Sequence, residues 1–342
     1  MTESRNLAIL VFCTVSTGVD AIAEVVRRGF SIAGIIGVHP EVADPVSISG
    51  YIDVAVFATE MGIPFHYVRS YTLKDEADRR LLKELDFDLV WISGWQRLVP
   101  QWLIEESRLG VLGGHGSPDG IHGGRGRSPQ NWAILLGCER FDLALFKITP
   151  GIDEGPVIAQ RSYFYHEQDD IRVSYYRASL AMADMVCEVL RSPEVLLTGT
   201  PQPTDAHYYP QRLPEDGHVD WSLTRRWIAR HCRALTTPYP GLKSRQGGVE
   251  ISLWECQSFD DAIDGEVGLI GACFYSGEFL VNCKDGRVLV RKWSADNEDW
   301  RPRTGLILDS VPFSKQLAVI TERHEKKYPK QMISSRIKRW SD

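Results

Sequence analysis

"LAILVFCTVSTGVDAIAEVVRRG" (residues 7–29) decides the fold. Its opening apolar run is long enough for one buried strand and too short to span a membrane. A Ser/Thr/Gly turn then releases the chain into a segment whose apolar residues return at helical spacing, and Gly29 stops it. The alternation continues with "SIAGIIGV" as a strand, "VAVFATEMG" as a helix closing on Gly62, "IPFHYV" as a strand, "KDEADRRLLKEL" as a charged helix and "DLVWIS" as a strand. Strands alternating with helices pair in parallel and carry helices on both faces. The expected architecture is therefore α/β, a doubly wound, Rossmann-like and mostly parallel sheet whose ligands gather beyond the carboxyl ends of its strands.

"LGVLGGHGSP" and "FDLALFKIT" extend the sheet, and "SYYRASLAMADMVCEVLR" closes this first domain, expected over residues 1–191. Residues 192–217 carry five prolines and few apolar periods, which reads as a linker. Beyond it a short helix, "LTRRWIARHCRAL", precedes the runs "VEISLWEC", "GLIGACFY", "EFLVNC" and "RVLVRKW" at hairpin spacing. These predict a small β-rich domain over 218–310, in the form of an OB-like barrel. Residues 311–342 read as a basic, partly helical tail, either solvated or packed.

The chain has 342 residues, 43% of them hydrophobic and 25% charged, which suits a globular protein of two domains. Its formal charge of -6 argues against a protein built mainly to grip nucleic acid. Seven cysteines, an odd number without a CxxC pair, suggest neither a zinc site nor a disulfide framework. The N-terminal apolar run is wrongly flanked for a signal peptide, and no stretch reads as a membrane span. The expected location is the cytoplasm.

"GVLGGHGSPDGIHGGRGRSPQNW" (residues 110–132) has eight glycines in its first seventeen residues, yet neither a P-loop nor a dinucleotide fingerprint. Two histidines seven apart on a loop make a poor metal site, so no metal is expected. His115 directly follows the apolar "GVL" and should stand at a strand's carboxyl end. About forty residues later "TPGIDEGPVIA" sets Asp153 in a glycine-flanked turn, where a carboxylate can orient an imidazole and steady its cation.

Taken in order, "DFDLVWISGWQRLVPQWLI", "HGSP...GRGRSPQNWAI", "TPGIDEGPVIAQ" and "YYPQRLPEDGHVDWS" followed by "RALTTPYPG" resemble segments of one family over roughly residues 5–310. That family transfers a formyl group from 10-formyltetrahydrofolate to an amine. It includes methionyl-tRNA formyltransferase, glycinamide ribonucleotide formyltransferase and the sugar-nucleotide N-formyltransferases. The resemblance implies that His115 and Asp153 are the catalytic pair and that no metal takes part. It places the pterin against Ser93, Gly94, Trp95, Gln96, Arg97, Leu98 and Val99, largely through backbone groups, with Ile152 beside them. Thr14, Ser117 and Arg125 are the expected substrate contacts, although Arg125 between glycines could equally anchor its loop. Trp132 reads as core, Trp95 as the better ligand aromatic and His122 as exposed.

The chain departs from the family pattern in two places. Gly113 stands where the family has an asparagine, and two extra residues lie between Ser117 and Arg125. Asn131, a water or a backbone amide could replace the missing donor. The expected acceptor is a nucleotide-linked amino sugar, a glycan or O-antigen precursor, and the expected assembly a homodimer. "GVHPEVADPVSISGY" lacks the basic insertion of the tRNA branch. Methionyl-tRNA and hydroxyornithine-type acceptors are the alternatives within the class. Outside it stand a folate-binding relative without transfer activity and a formyl-folate hydrolase.

Overall fold

The run that opens the chain is continuous rather than alternating because both faces of its strand are covered. In the computed structural model, which describes residues 7–43, 48, 50–263 and 265–339, it forms β1 (Ile9–Phe12), followed by α1 (Ser16–Arg27). Ile9, Val11 and Cys13 enter one core with Ile22 and Val25 of α1, while Leu10 and Phe12 enter a second with Leu82 and Leu103. Burying each large aliphatic side chain is worth roughly 1.5–3 kcal/mol, so a polar residue anywhere in β1 would be costly. The first six residues, part of the segment read as lacking a signal peptide, lie outside the described residues. So do 44–47 and 49, within the stretch read as lacking a basic insertion.

The alternation continues as β2 (Gly34–Val38), α2 (Ala55–Glu60), β3 (Phe65–Val68), α3 (Glu76–Glu84), β4 (Leu89–Ile92), α4 (Gln101–Glu106) and β5 (Val111–Ser117). Then come β6 (Arg125–Gly126), α5 (Pro129–Leu136), β7 (Arg140–Lys147), β8 (Val157–Phe164) and α6 (Ile171–Arg191). Among the described residues the main sheet has seven strands in the order β3-β2-β1-β4-β5-β7-β8. β1 pairs in parallel with β2 and β4, β2 with β3, and β4 with β5, whereas β7 runs antiparallel to β5. This is the mostly parallel α/β sheet expected. No helix among the described residues is long and apolar enough to cross a membrane.

The second half supplies β9 (His207–Tyr209), α7 (Arg225–Leu235), β10 (Leu242–Gln246), β11 (Val249–Phe259), β12 (Ile270–Cys273), β13 (Phe279–Cys283), β14 (Gly286–Ala295), α8 (Phe313–Lys327), β15 (Met332–Ile333) and α9 (Ser335–Lys338). Its sheet runs β10-β11-β14-β13-β12, and every pairing in it is antiparallel. Bulges flank Glu255 in β11 and bend the sheet. The described residues show no pairing that closes β10 onto β12.

Two compact units result: residues 1–125, 142–163 and 175–205, and residues 126–141, 164–174 and 206–342. They cut the chain differently from the composition-based boundaries, for physical reasons. Helix α5 finds its partners in the second unit, where Asn131 Nδ2 donates to the Ala234 carbonyl at 2.5 Å and Trp132 Nε1 to that of Pro210 at 2.8 Å. The basic tail is a packed element, with Phe313, Leu317 and Ile320 buried and β15 paired in parallel to β9. Part of the expected linker therefore serves as a strand.

Inside the second unit Arg212 stacks over Trp132 at 5.1 Å and points Nη2 at His231 Nε2, 3.0 Å away. A guanidinium only donates, so the imidazole accepts and stays neutral. Burial is the main cause that holds His231 well below its usual pKa of 6.5, with the Arg212 charge second. His218 and His324 are lowered too, chiefly by burial. Because the unfolded chain binds these protons more readily, stability is complete above about pH 6.5 and is lost as the pH falls below it. Urea unfolding should show about 1.4 kcal/mol lost per pH unit from His231 alone; a midpoint that does not move between pH 7.5 and 5.5 contradicts this reading.

Candidate active site

Ile92, the last residue of β4, pairs with Gly113, and there the parallel ladder ends. Strand β5 runs on for four residues against β7, with His115 opposite Ala144. His115 thus lies two residues past the end of the parallel pairing and inside a strand, a more rigid seat than the loop it was read from. Its side chain is 10% exposed.

Both imidazole nitrogens are placed. Nε2 lies 2.8 Å from the Gly124 carbonyl, which only accepts, so Nε2 carries the hydrogen. Nδ1 faces Asp153 Oδ2 at 3.6 Å, too long for a direct hydrogen bond and close enough to stabilise a charge. The nitrogen that can gain and lose a proton is therefore Nδ1. Asp153 sits at φ 51°, a left-handed conformation uncommon for a residue other than glycine and better tolerated by Asp than by most.

His115 and position 113 share a strand face with Ala144 and Phe146. A Cβ added at Gly113 would come 2.9 Å from both Cδ1 and Cγ1 of Ile148 and 3.4 Å from the Phe146 ring. Ile148 belongs with Ile121, Ala144, Phe146 and Val157 to a small apolar cluster. Where the family pattern has an amide donor, this chain has hydrocarbon.

The 93–99 turn is braced from three sides. Ser93 N–H donates to the Phe12 carbonyl at 2.9 Å, Thr14 Oγ1 to that of Gly94 at 2.9 Å, and Gln96 N–H to the Tyr71 hydroxyl at 2.6 Å. Gly94 has φ 90°, and a Cβ there would lie 2.3 Å from Val15, so no other residue fits. The Arg97 guanidinium lies 4.9 Å over the Tyr71 ring. Leu98 faces outward at 63% exposure, and Ile152 is 37% exposed.

Several expected contacts have other tasks. Trp95 is buried, edge-on to Phe12 at 5.3 Å, and Val99 is buried with it, so neither ring nor branch is free to stack on a ligand. Thr14 is fully buried with its hydroxyl spent on the turn, and Ser117 is fully buried with its Oγ accepting from Asp119 N–H at 3.0 Å. Asn131, read as a substitute donor, is buried in the second unit with its amide on Ala234. His122 is exposed and Trp132 is core, as read. Arg125 is buried, 4% exposed. Burial pushes the Cys13 thiol up to about 12, so it supplies no thiolate here. Sequence reasoning missed Tyr71, the Gly124 carbonyl and Ile148; only Ile148 carried a signal, as the last apolar residue of "FDLALFKIT".

Comparisons with known proteins accord with this layout. The family model described as formyl transferase matches residues 5–189, and the one described as formyl transferase, C-terminal domain, matches residues 213–299. HypX from Aquifex aeolicus, solved in complex with tetrahydrofolic acid, superposes with a TM-score of 0.60 at 19% identity. The match covers 93% of this chain and 48% of HypX, so the chain spans about half the length of that protein. An N-formyltransferase from Helicobacter canadensis, solved with folinic acid and dTDP-3-aminofucose, superposes with a TM-score of 0.58 at 14% identity, over 84% of this chain and all of that one. At such identities the likeness shows a shared fold.

If Ile148 fills the space at position 113, Gly113→Asn should destabilise by about 1–3 kcal/mol through overpacking. Combined with Ile148→Ala it should cost less than the sum of the two singles by at least about 0.5 kcal/mol. Strict additivity in denaturant melts would show that the two side chains do not compete.

Proposed function

The chain belongs to the formyl transferase family, and from that premise we propose that it moves a formyl group from 10-formyltetrahydrofolate to the amino group of a nucleotide-linked amino sugar. The observation that carries this reading is the His115–Asp153 pair, seated just past the end of a parallel ladder beside the braced 93–99 turn. The residues present fit the donor. The exposed Leu98 and Ile152 offer apolar contact, and the turn, its shape fixed by Thr14, Gly94 and Tyr71, offers backbone groups to a pterin edge. When bound, the folate supplies an electrophilic formyl carbon.

His115 Nδ1 takes a proton from the attacking amine, and Asp153 stabilises the imidazolium that results. The Nδ1–H then serves as donor to the developing oxyanion or returns its proton to the departing folate nitrogen. The Gly124 carbonyl holds the ring throughout through Nε2–H. The products are the N-formylated acceptor and tetrahydrofolate. Support for the acceptor comes from the dTDP-3-aminofucose bound by the Helicobacter canadensis protein, and the chain's net negative charge argues against a nucleic-acid acceptor.

A second reading, folate binding without transfer or with only slow release of formate to water, is favoured by the hydrocarbon at position 113, because loss of one oxyanion donor typically slows acyl transfer about 10²- to 10³-fold. Tetrahydrofolate release measured by absorbance with and without dTDP-, UDP- and GDP-linked amino sugars separates the two. Acceptor-dependent release with a formylated product by mass spectrometry is expected; acceptor-independent release favours hydrolysis. His115→Ala should lower kcat at least about 100-fold with folate affinity unchanged, and full turnover in that variant contradicts the assignment.

A further inference from the structure

A buried guanidinium without a counter-anion is costly, and the first unit contains one. Arg125 is 4% exposed, and its Nη2 donates only to uncharged oxygens, those of Gln202 at 3.1 Å and Pro203 at 3.4 Å. Its Nε is buried with no partner. Among the described residues no carboxylate forms an ion pair with it. Leaving such a charge uncompensated costs more than two neutral hydrogen bonds return.

Arg125 lines a cavity of about 550 Å³ together with Thr149, Glu154, Gly155, Gln202 and Pro203. Thr149 Oγ1 is a second buried polar atom there without a partner. The wall is built, since Gln202 Nε2 donates to the Gly155 carbonyl at 2.6 Å, and a Cβ on Gly155 would collide with the Lys147 carbonyl. The cavity also adjoins the acid/base pair along the chain, because Gly124 and Asp153, both beside His115, directly precede Arg125 and Glu154. Glu154 brings a negative charge, but its side chain is exposed to solvent, whereas Arg125 is buried.

We propose that this cavity binds an oxyanion, a phosphate or carboxylate group, with Arg125 as its counter-charge and Thr149 as a hydrogen-bond donor. Two sources share that chemistry: the phosphates of the acceptor, an assignment that rests on the function proposed above, and the glutamate tail of a folate. Occupancy would complete the guanidinium's partners and hold one substrate beside Asp153.

Calorimetric titration of the full chain with inorganic pyrophosphate, and separately with γ-linked triglutamate, tests this at constant ionic strength. At least one probe should bind, and Thr149→Val, which keeps the side-chain shape, should weaken it about tenfold or more. Arg125→Gln should abolish it, while Glu154→Gln should tighten it. Should Arg125→Gln fail to fold, the Thr149 and Glu154 variants carry the test. Binding of pyrophosphate alone identifies the acceptor as the source, and binding of triglutamate alone identifies the folate. The proposal is overturned if neither probe binds or if the Thr149→Val variant binds as tightly as the unaltered chain. Because the readout is binding, oxyanion binding without formyl transfer would contradict the proposed reaction alone, and transfer without oxyanion binding the cavity alone.

Discussion

The hydrogen bond between His115 Nε2 and the Gly124 carbonyl is the constraint on which the proposed chemistry depends. A carbonyl has no proton to give, so it settles which nitrogen of the ring is occupied and which is left to react. The glycine loop is the device that makes this bond. It carries the chain out from Ser117 and back to Gly124, close enough for a main-chain oxygen to meet the imidazole. Asp153 then acts on Nδ1 from 3.6 Å as a charge rather than as a tight hydrogen-bond partner.

The fold supplies the position. Two packed faces bury β1 and, through it, fix β4 and the 93–99 turn. The change of partner along β5, from parallel β4 to antiparallel β7, keeps His115 in a strand after the parallel ladder has ended. The same register sets Phe146 opposite Gly113 and brings Ile148 against it, so the missing amide has become part of a packed apolar cluster. Restoring the amide must therefore displace hydrocarbon.

Most of the first unit was legible in the sequence, because continuous apolar runs and helical periods report burial directly. The meeting of His115 and Asp153 was legible as well, since strand ends and glycine-flanked turns are local features. What escaped depends on pairing between distant segments. The filling of position 113 by Ile148 needs the β5–β7 register, and the turning of Trp95 into the core needs Phe12. The placement of α5 in the second unit needs Ala234 and Pro210. The tail was read as a solvated or packed segment because its charge is conspicuous; its apolar residues Phe313, Leu317 and Ile320 recur at helical spacing and are buried.

The ring's protonation pattern is open to direct observation by ¹⁵N NMR of histidine-labelled protein, with His115 assigned by substitution. In the neutral ring the hydrogen is expected on Nε2, with Nδ1 unprotonated. A neutral His115 bearing its hydrogen on Nδ1 would contradict it, because Nε2 would then present a lone pair to the Gly124 carbonyl and the reactive nitrogen would be the other one.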